Sequence, residues 1–386
     1  MNDRDRFNAT MHYGPRDRCP VMDFGFWPET LDRWRTEGMP AGVDPDRFFG
    51  MDAQWLGAPI EVGLHPPFEE KVIEDCGETQ LVRQVDGAYA IRKPYLGTIP
   101  HYVDWTLKDR ASWEDHYSWR LDPATPGRVP ADWPEQAARC RDRDYPLSVN
   151  AGSLYGWIRN WMGIENVSLL VYDDPDLFGQ MVERVADCVL GVLERAYAEP
   201  ITFDYATLWE DMCYNQGPLL SPEMFRRFLL PHYRRITAFL RDHGTDIVVL
   251  DCDGKIDKLI PLWLKGGVNC LFPIEVGTWN GDPVRFRAEY GRELRMMGGI
   301  SKHVIARSRD RIDAAIDHVL PLVEEGGYIP LPDHRVPPDV PLDNYLYYIK
   351  AIRQRVGGGR NLRPLLQTVP NPSREWMRRF AWDRGT

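Results

Sequence analysis

Two stretches decide how this chain folds: Val248-Val-Leu-Asp-Cys-Asp-Gly254 and, about eighty residues later, Gly326-Gly-Tyr-Ile-Pro-Leu-Pro-Asp-His-Arg-Val-Pro-Pro338. Each is an apolar run that stops abruptly in acids, a His, and Gly or Pro. Such a run reads as a buried parallel strand that delivers polar side chains at its carboxyl end. In an α/β barrel that end is where chemistry is done. Asp251 and Asp253 are two apart, so on an extended strand they share a face and Cys252 points the other way. His334, at the end of the second run, could reach both acids. Two carboxylates and an imidazole make a metal site. The competing reading gives Asp253 a helix-capping task before Gly254-Lys255, but it leaves Asp251 with no task.

Working outward, the same strand–loop–helix pattern recurs from Ser148 onward. Strands are expected at Ser148–Ser153, Asp204–Met212, Ile247–Leu250, Val268–Pro273, Leu294–Met297 and Tyr328–Leu331. Helices are expected between them, at Pro175–Ala198, from Ser221, near Ile256–Lys265, at Pro283–Tyr290, at Arg309–Glu325 and at Asn344–Val356. Near the amino end a short amphipathic helix from Arg4 leads to Cys19-Pro-Val-Met-Asp-Phe24, which reads as a first strand. A helix over Glu29–Glu37 follows. The alternation argues for a parallel closed barrel. Residues 55–100 differ in texture: short alternating runs at Lys71, Gln80 and Tyr89 are separated by Gly77 and Asp86-Gly87. They predict a β-meander inserted in a single domain that spans residues 1–386.

The totals set limits. The chain of 386 residues carries 47 Lys and Arg against 57 Asp and Glu, a net charge of −10, with no basic run. That argues against nucleic acid or an anionic membrane as partner. No apolar stretch approaches the ~20 residues that span a bilayer, and the amino end has no signal-type segment. The seven Cys are scattered, and none form a C-x-x-C pair. They read as reduced thiols, and the expected location is cytoplasmic. The 14 Trp suggest an aromatic-walled pocket for a small molecule, although packing alone could use them.

Further candidates lie at strand ends. Glu210 and Glu275 are candidates for proton transfer. Glu275 could equally be a fourth ligand, or a salt-bridge partner of Arg285 or Arg287. Asp23, Asp211, Phe26, Trp27, Tyr155, Trp157 and Tyr214 are candidates for binding substrate and walling the pocket. Any one acid alone could as well cap the next helix. Together at one barrel mouth they would repel unless a cation or a proton sat among them. The remaining His residues have no partnered spacing.

At this point a resemblance emerges. Arg6-Phe-Asn-Ala-Thr10, Asp17-Arg-Cys-Pro-Val-Met-Asp23, Gly152-Ser-Leu-Tyr-Gly-Trp157 with Arg159, Gln216-Gly-Pro-Leu-Leu-Ser-Pro-Glu-Met-Phe225, Gly298-Gly-Ile300 and the segment from Gly326 resemble the uroporphyrinogen decarboxylase-like superfamily. The resemblance covers nearly the whole chain and implies a TIM-type (β/α)8 barrel. It is closest to the corrinoid-linked methyltransferase branch, which carries zinc on a His-x-Cys…Cys pattern. Here Asp251 stands in place of the His, Asp253 in place of the first Cys and His334 in place of the second. The resemblance therefore implies a divalent metal, zinc in the relatives, and a corrinoid supplied by a partner protein; assembly as a homodimer stays open. True decarboxylases clamp their substrate's carboxylates with Arg after the first strand. The corresponding Phe24-Gly-Phe-Trp-Pro-Glu29 has none, which argues against a four-acid porphyrinogen. The expected reaction is methyl transfer from a small, methoxylated substrate to the corrinoid protein. A decarboxylase of a smaller carboxylated substrate is the alternative, and a carrier without turnover is a third reading.

Overall fold

A computed structural model describes residues 1–93 and 100–357, and the backbone of Arg378–Arg379. Its centre is one twisted sheet. In chain order the strands of the molecule are β1 (Leu56–Gly57), β2 (Lys71–Asp75), β3 (Gln80–Arg83), β4 (Ala88–Arg92), β5 (His101–Trp105), β6 (Ser148–Asn150) and β7 (Tyr205–Trp209). Then come β8 (Cys213–Tyr214), β9 (Gly217–Pro218), β10 (Val248–Asp251), β11 (Cys270–Ile274), β12 (Arg295–Ile300), β13 (Tyr328–Pro332) and β14 (Arg378–Arg379). The main sheet runs β13-β12-β11-β10-β7-β6-β1, all parallel, with β14 antiparallel on β1. Val248–Asp251 and Tyr328–Pro332 are buried at every position, as strands covered on both faces must be.

Helices form the cover, and local chemistry starts them. Helix Pro175–Ala196 begins where the Asp174 carboxylate accepts the Leu177 N–H at 3.0 Å, with Pro175 in the first turn. Its buried side chains include Leu177, Met181, Val185, Cys188, Val192 and Ala196, a stripe of three- and four-residue steps. Ser221 caps the next helix through Met224 N–H, as expected.

Two expectations need correction. Cys19–Phe24 is not a strand. The Val21 N–H donates to the Asp52 carboxylate at 2.9 Å and the Asp23 N–H to the Gln54 side-chain oxygen at 2.7 Å. Side chains from residues 52–54 thus take the donors that a neighbouring strand would have used. Among the described residues the segment's main-chain bonds are Asp52 N–H to Val21 O, at 2.9 Å, and Cys19 N–H to Val356 O, at 3.2 Å. Past it, Phe26 forms an isolated parallel bridge with Val336, beyond the end of β13. The segment therefore lies between the two ends of the parallel sheet without extending the ladder. The second correction concerns the meander. It has four antiparallel strands, β2-β3-β4-β5, and the last one, His101–Trp105, runs past the expected boundary at residue 100. The meander falls between β1 and β6 in sequence and packs against helix Gly156–Met162, which starts just past the carboxyl end of β6.

Candidate functional site

The carboxyl ends of β7, β10, β11, β12 and β13 bring acids and cations together. Asp251 is the last residue of β10, is 3% exposed, and has no hydrogen bond on its carboxylate among the described residues. β10 stops there, so the alternation that should have aligned Asp253 with Asp251 has already ended. Asp253 returns to the cluster through the turn at Gly254, where φ is +97°. A Cβ on Gly254 would lie 2.7 Å from the Cys213 carbonyl, so the turn requires glycine. Among the described residues, carboxylate oxygens of Asp211, Asp251 and Asp253 lie within 4.8 Å of one another. His334 falls outside that mutual set and meets it through Asp253, at 3.3 Å from Nε2 to Oδ2. Its ring is held by Phe24, 5.0 Å away edge-on, and by Trp27, stacked at 6.3 Å.

The electrostatics follow from crowding. Burial pushes the Asp251 carboxyl well above the ordinary range, and Asp211, Asp253 and Glu275 push it further; Arg335 pulls it back. Asp211 is raised to about 6 by burial and then by Asp253. Glu275 is raised to about 7 by burial and Asp253, against the Gly254 N–H, Lys302 and His334. The Glu275 salt-bridge partner is neither expected arginine but Lys302, at 3.4 Å. Arg285 pairs with Asp257 and Arg287 with Glu325.

The other candidates are dispersed. Glu210 is 0% exposed and does not open to the mouth. Its carboxylate accepts from the N–H groups of Leu154, Tyr155 and Gly156, each at 2.9 Å, from Tyr233 at 2.5 Å and from Ser153 at 3.2 Å. It anchors the start of helix Gly156–Met162. Asp23 is also 0% exposed and bonds Gly25 N–H and the Tyr345 hydroxyl. Burial raises it to about 7. Phe26 belongs to a separate aromatic cluster with Trp34, Phe49 and Tyr345. Tyr155 is buried, Trp157 stacks on Trp161, and Tyr214 is exposed beside Trp279.

Sequence reasoning passed over Lys302 and gave no role to Arg159 and Arg335, which it quoted only within motifs. Lys302 comes two residues after the end of β12, the same strand-end signal that marked the acids. Its N–H is fixed by Asp333, which also binds Val276 and Gly277 N–H. Arg159 donates to the Asp211 carbonyl and lies over the Trp209 ring. A separate cleft of about 380 Å³, lined by Arg143, Tyr197, Thr202 and His243 among others, lies where β7 begins. It is at the opposite end from the acids, and in parallel barrels chemistry belongs to the carboxyl end.

The donor set can be weighed against the metal that the resemblance implies. Three carboxylates and an imidazole, one carboxylate buried and unbonded and a second with a buried, unpartnered Oδ1, suit a divalent cation. The model of the uroporphyrinogen decarboxylase (URO-D) family matches residues 137–355, more than half of the chain. The chain belongs to this family. It resembles a methyltransferase from Methanosarcina mazei in structure, with a TM-score of 0.57 and 15% identity over 92% of this chain and 98% of that one. At this identity the likeness shows a shared fold. A B12-independent methionine synthase from Shewanella sp. W3-18-1 aligns at a TM-score of 0.39 and 10% identity, over 59% of this chain and 67% of that one. No curated protein matches the chain. No helix among the described residues is long and apolar enough to cross a membrane.

Proposed function

We propose that this member of the family is a metal-assisted methyltransferase. It would take a methyl group from a small, oxygen-methylated substrate and deliver it to a corrinoid protein docked at the carboxyl face of a (β/α)8 barrel. The observation that carries the reading is the gathering of Asp211 and Asp253 around the buried Asp251 carboxylate, with His334 against Asp253. Like charges at this spacing are held together only by protons or by a cation. A divalent cation held at Asp251, Asp253 and His334 would supply Lewis acidity at the oxygen that the methyl group leaves.

The chain's own residues would do the rest. Phe24 and Trp27 fix the His334 ring and exclude water from one side. Glu275, raised to about 7 beside Lys302, would give a proton to the departing oxygen. Trp157 and Tyr214 would border the substrate, with the β2–β5 meander as a lid. The choice of an oxygen over a thiol substrate rests on the ligands: carboxylate and imidazole make a harder site than the thiolates of the relatives. The corrinoid acceptor rests on the resemblance to that branch.

A second reading is a carboxy-lyase acting on a small carboxylated substrate. The Glu275–Lys302 pair favours it, since an ammonium suits a substrate carboxylate and an acid near neutrality suits protonation of the carbon it leaves. One assay separates the two. Methyl ethers and thiols compete over an added corrinoid protein, and CO₂ release from small carboxylic acids is followed without corrinoid. Ether turnover supports the first reading. Thiol methylation alone reverses the substrate choice, and corrinoid-free CO₂ release establishes the lyase.

A further inference from the structure

Asp211 is the member of the acid cluster that the ligand set expected from sequence does not include, and its backbone is unusual. Its φ is +41°, a left-handed conformation that side chains other than Asn and Asp seldom adopt. Two contacts hold it there. Arg159 donates to the Asp211 carbonyl, and Asp211 Oδ1 accepts the Asp253 N–H at 3.1 Å. The second contact ties the Asp211 carboxylate to the turn that carries Asp253. Next to it, among the described residues, Asp251 is 3% exposed with no hydrogen bond on its carboxylate, and Asp253 Oδ1 is buried without a partner. A buried acceptor left unmet costs free energy, and here Asp253 Oδ1 is one, beside the buried Asp251 carboxylate. His334 reaches Asp253 through Oδ2, the other oxygen.

We propose that Asp211, Asp251 and Asp253 together ligate a hard divalent cation of the Mn²⁺ or Mg²⁺ class, and that His334 is a positioning residue that orients Asp253. This rests on reading the site as a metal centre, and it changes the ligand set and the class of metal. Three carboxylates offer only oxygen donors, which suit Mg²⁺ and Mn²⁺. An imidazole bonded to a ligating carboxylate is a common outer partner that fixes the ligand's orientation. The strained backbone at Asp211 then brings a third charge to the ion.

The test uses the full chain and Mn²⁺ as probe. Free Mn²⁺ is followed by electron paramagnetic resonance during titration, with Zn²⁺ as competitor. The wild type should bind one Mn²⁺. Asp211→Asn keeps both the left-handed backbone preference and an acceptor for the Asp253 N–H, so it removes chiefly the charge. It should weaken Mn²⁺ binding by about a hundredfold, while His334→Ala should weaken it by about tenfold, as loss of an outer partner does. His334→Gln, which keeps an N–H near the Nε2 position, should recover most of that loss. Independently of any variant, the spin-echo modulation of Mn²⁺ bound to the wild type should lack a directly coordinated imidazole nitrogen. A coordinated nitrogen, or wild-type Mn²⁺ affinity in a folded Asp211→Asn, overturns the ligand set while leaving a metal centre in place. A wild type that binds neither Mn²⁺ nor Zn²⁺ removes the metal centre itself, and with it the proposed function.

Discussion

Glu210→Gln tests whether this acid works on substrate or holds the fold. In the structure Oε1 accepts from Leu154 N–H and the Tyr233 hydroxyl, and Oε2 accepts from Tyr155 N–H, Gly156 N–H and the Ser153 hydroxyl. Glutamine keeps one oxygen. Placed at Oε2, that oxygen still serves three donors, and the new NH₂ faces Leu154 N–H and Tyr233. The tyrosine can rotate its proton away and accept, but the Leu154 N–H is left without a partner. A buried donor left so costs about 1–3 kcal/mol, and the remaining bonds lose their charge assistance, so the total is about 3 kcal/mol. With a melting entropy of about 2.1 cal/mol/K per residue, a chain of 386 residues has about 0.8 kcal/mol/K. The melting temperature should then fall by about 4 °C. Calorimetry measures this, and hydrogen exchange should quicken first at residues 154–156. Metal binding below the melt should be unchanged. A variant that melts with the wild type yet has lost turnover would refute the argument and return Glu210 to the reaction.

Three other outcomes follow from the site. Glu275 and Asp211 have folded-state values of about 7 and about 6 against ordinary values of 4.5 and 3.8. The folded state therefore holds more protons than the unfolded one between those limits, and the cluster's contribution to metal-free stability declines as pH rises from about 4 to about 7. Asp251→Asn should flatten that decline, melt higher than wild type at neutral pH, and lose stoichiometric metal; metal content equal to wild type would contradict the site. Gly254→Ala combines φ +97° with a Cβ 2.7 Å from the Cys213 carbonyl, and should destabilise by more than about 1 kcal/mol in denaturant titration. Lys302→Met removes the cation 3.4 Å from Glu275, so the midpoint of the pH–rate profile that belongs to Glu275 should move upward; an unmoved midpoint would exclude that coupling.

The parallel strands from residue 148 onward were legible because they are buried on both faces and read as unbroken apolar runs. The strand ends were legible for the same reason, since polarity changes there within a residue or two. Cys19–Phe24 misled because its composition is that of a strand, while its fate is set by Asp52 and Gln54, about thirty residues away. The strand His101–Trp105 was overlooked because most of its residues face solvent and leave no buried alternation. Asp253 was linked to Asp251 by an alternation that stops one residue too early, and a glycine turn restored the contact. Asp211 was read as a substrate-binding acid, and nothing in its neighbours announces its left-handed backbone. Glu210 was read as an acid at a strand end, and only tertiary structure shows five donors converging on it.

The segment at Cys19–Phe24 has one more implication. Elsewhere around the site, strands are tied by main-chain ladders that almost any sequence could maintain. Here the tie to residues 52–54 is made by a carboxylate and an amide beside one main-chain bond, with Arg18 gripping that carboxylate through its two terminal nitrogens at 2.5 and 2.6 Å. On the side of residues 52–54 this edge thus leans on side chains, and a single substitution at Asp52 or Gln54 should loosen it. The acids stand on the laddered edges, at fixed spacing. The aromatic groups Phe24 and Trp27 stand on the fastened one. Relatives that keep the acid cluster could therefore reshape the aromatic wall without disturbing the strands that carry the charge.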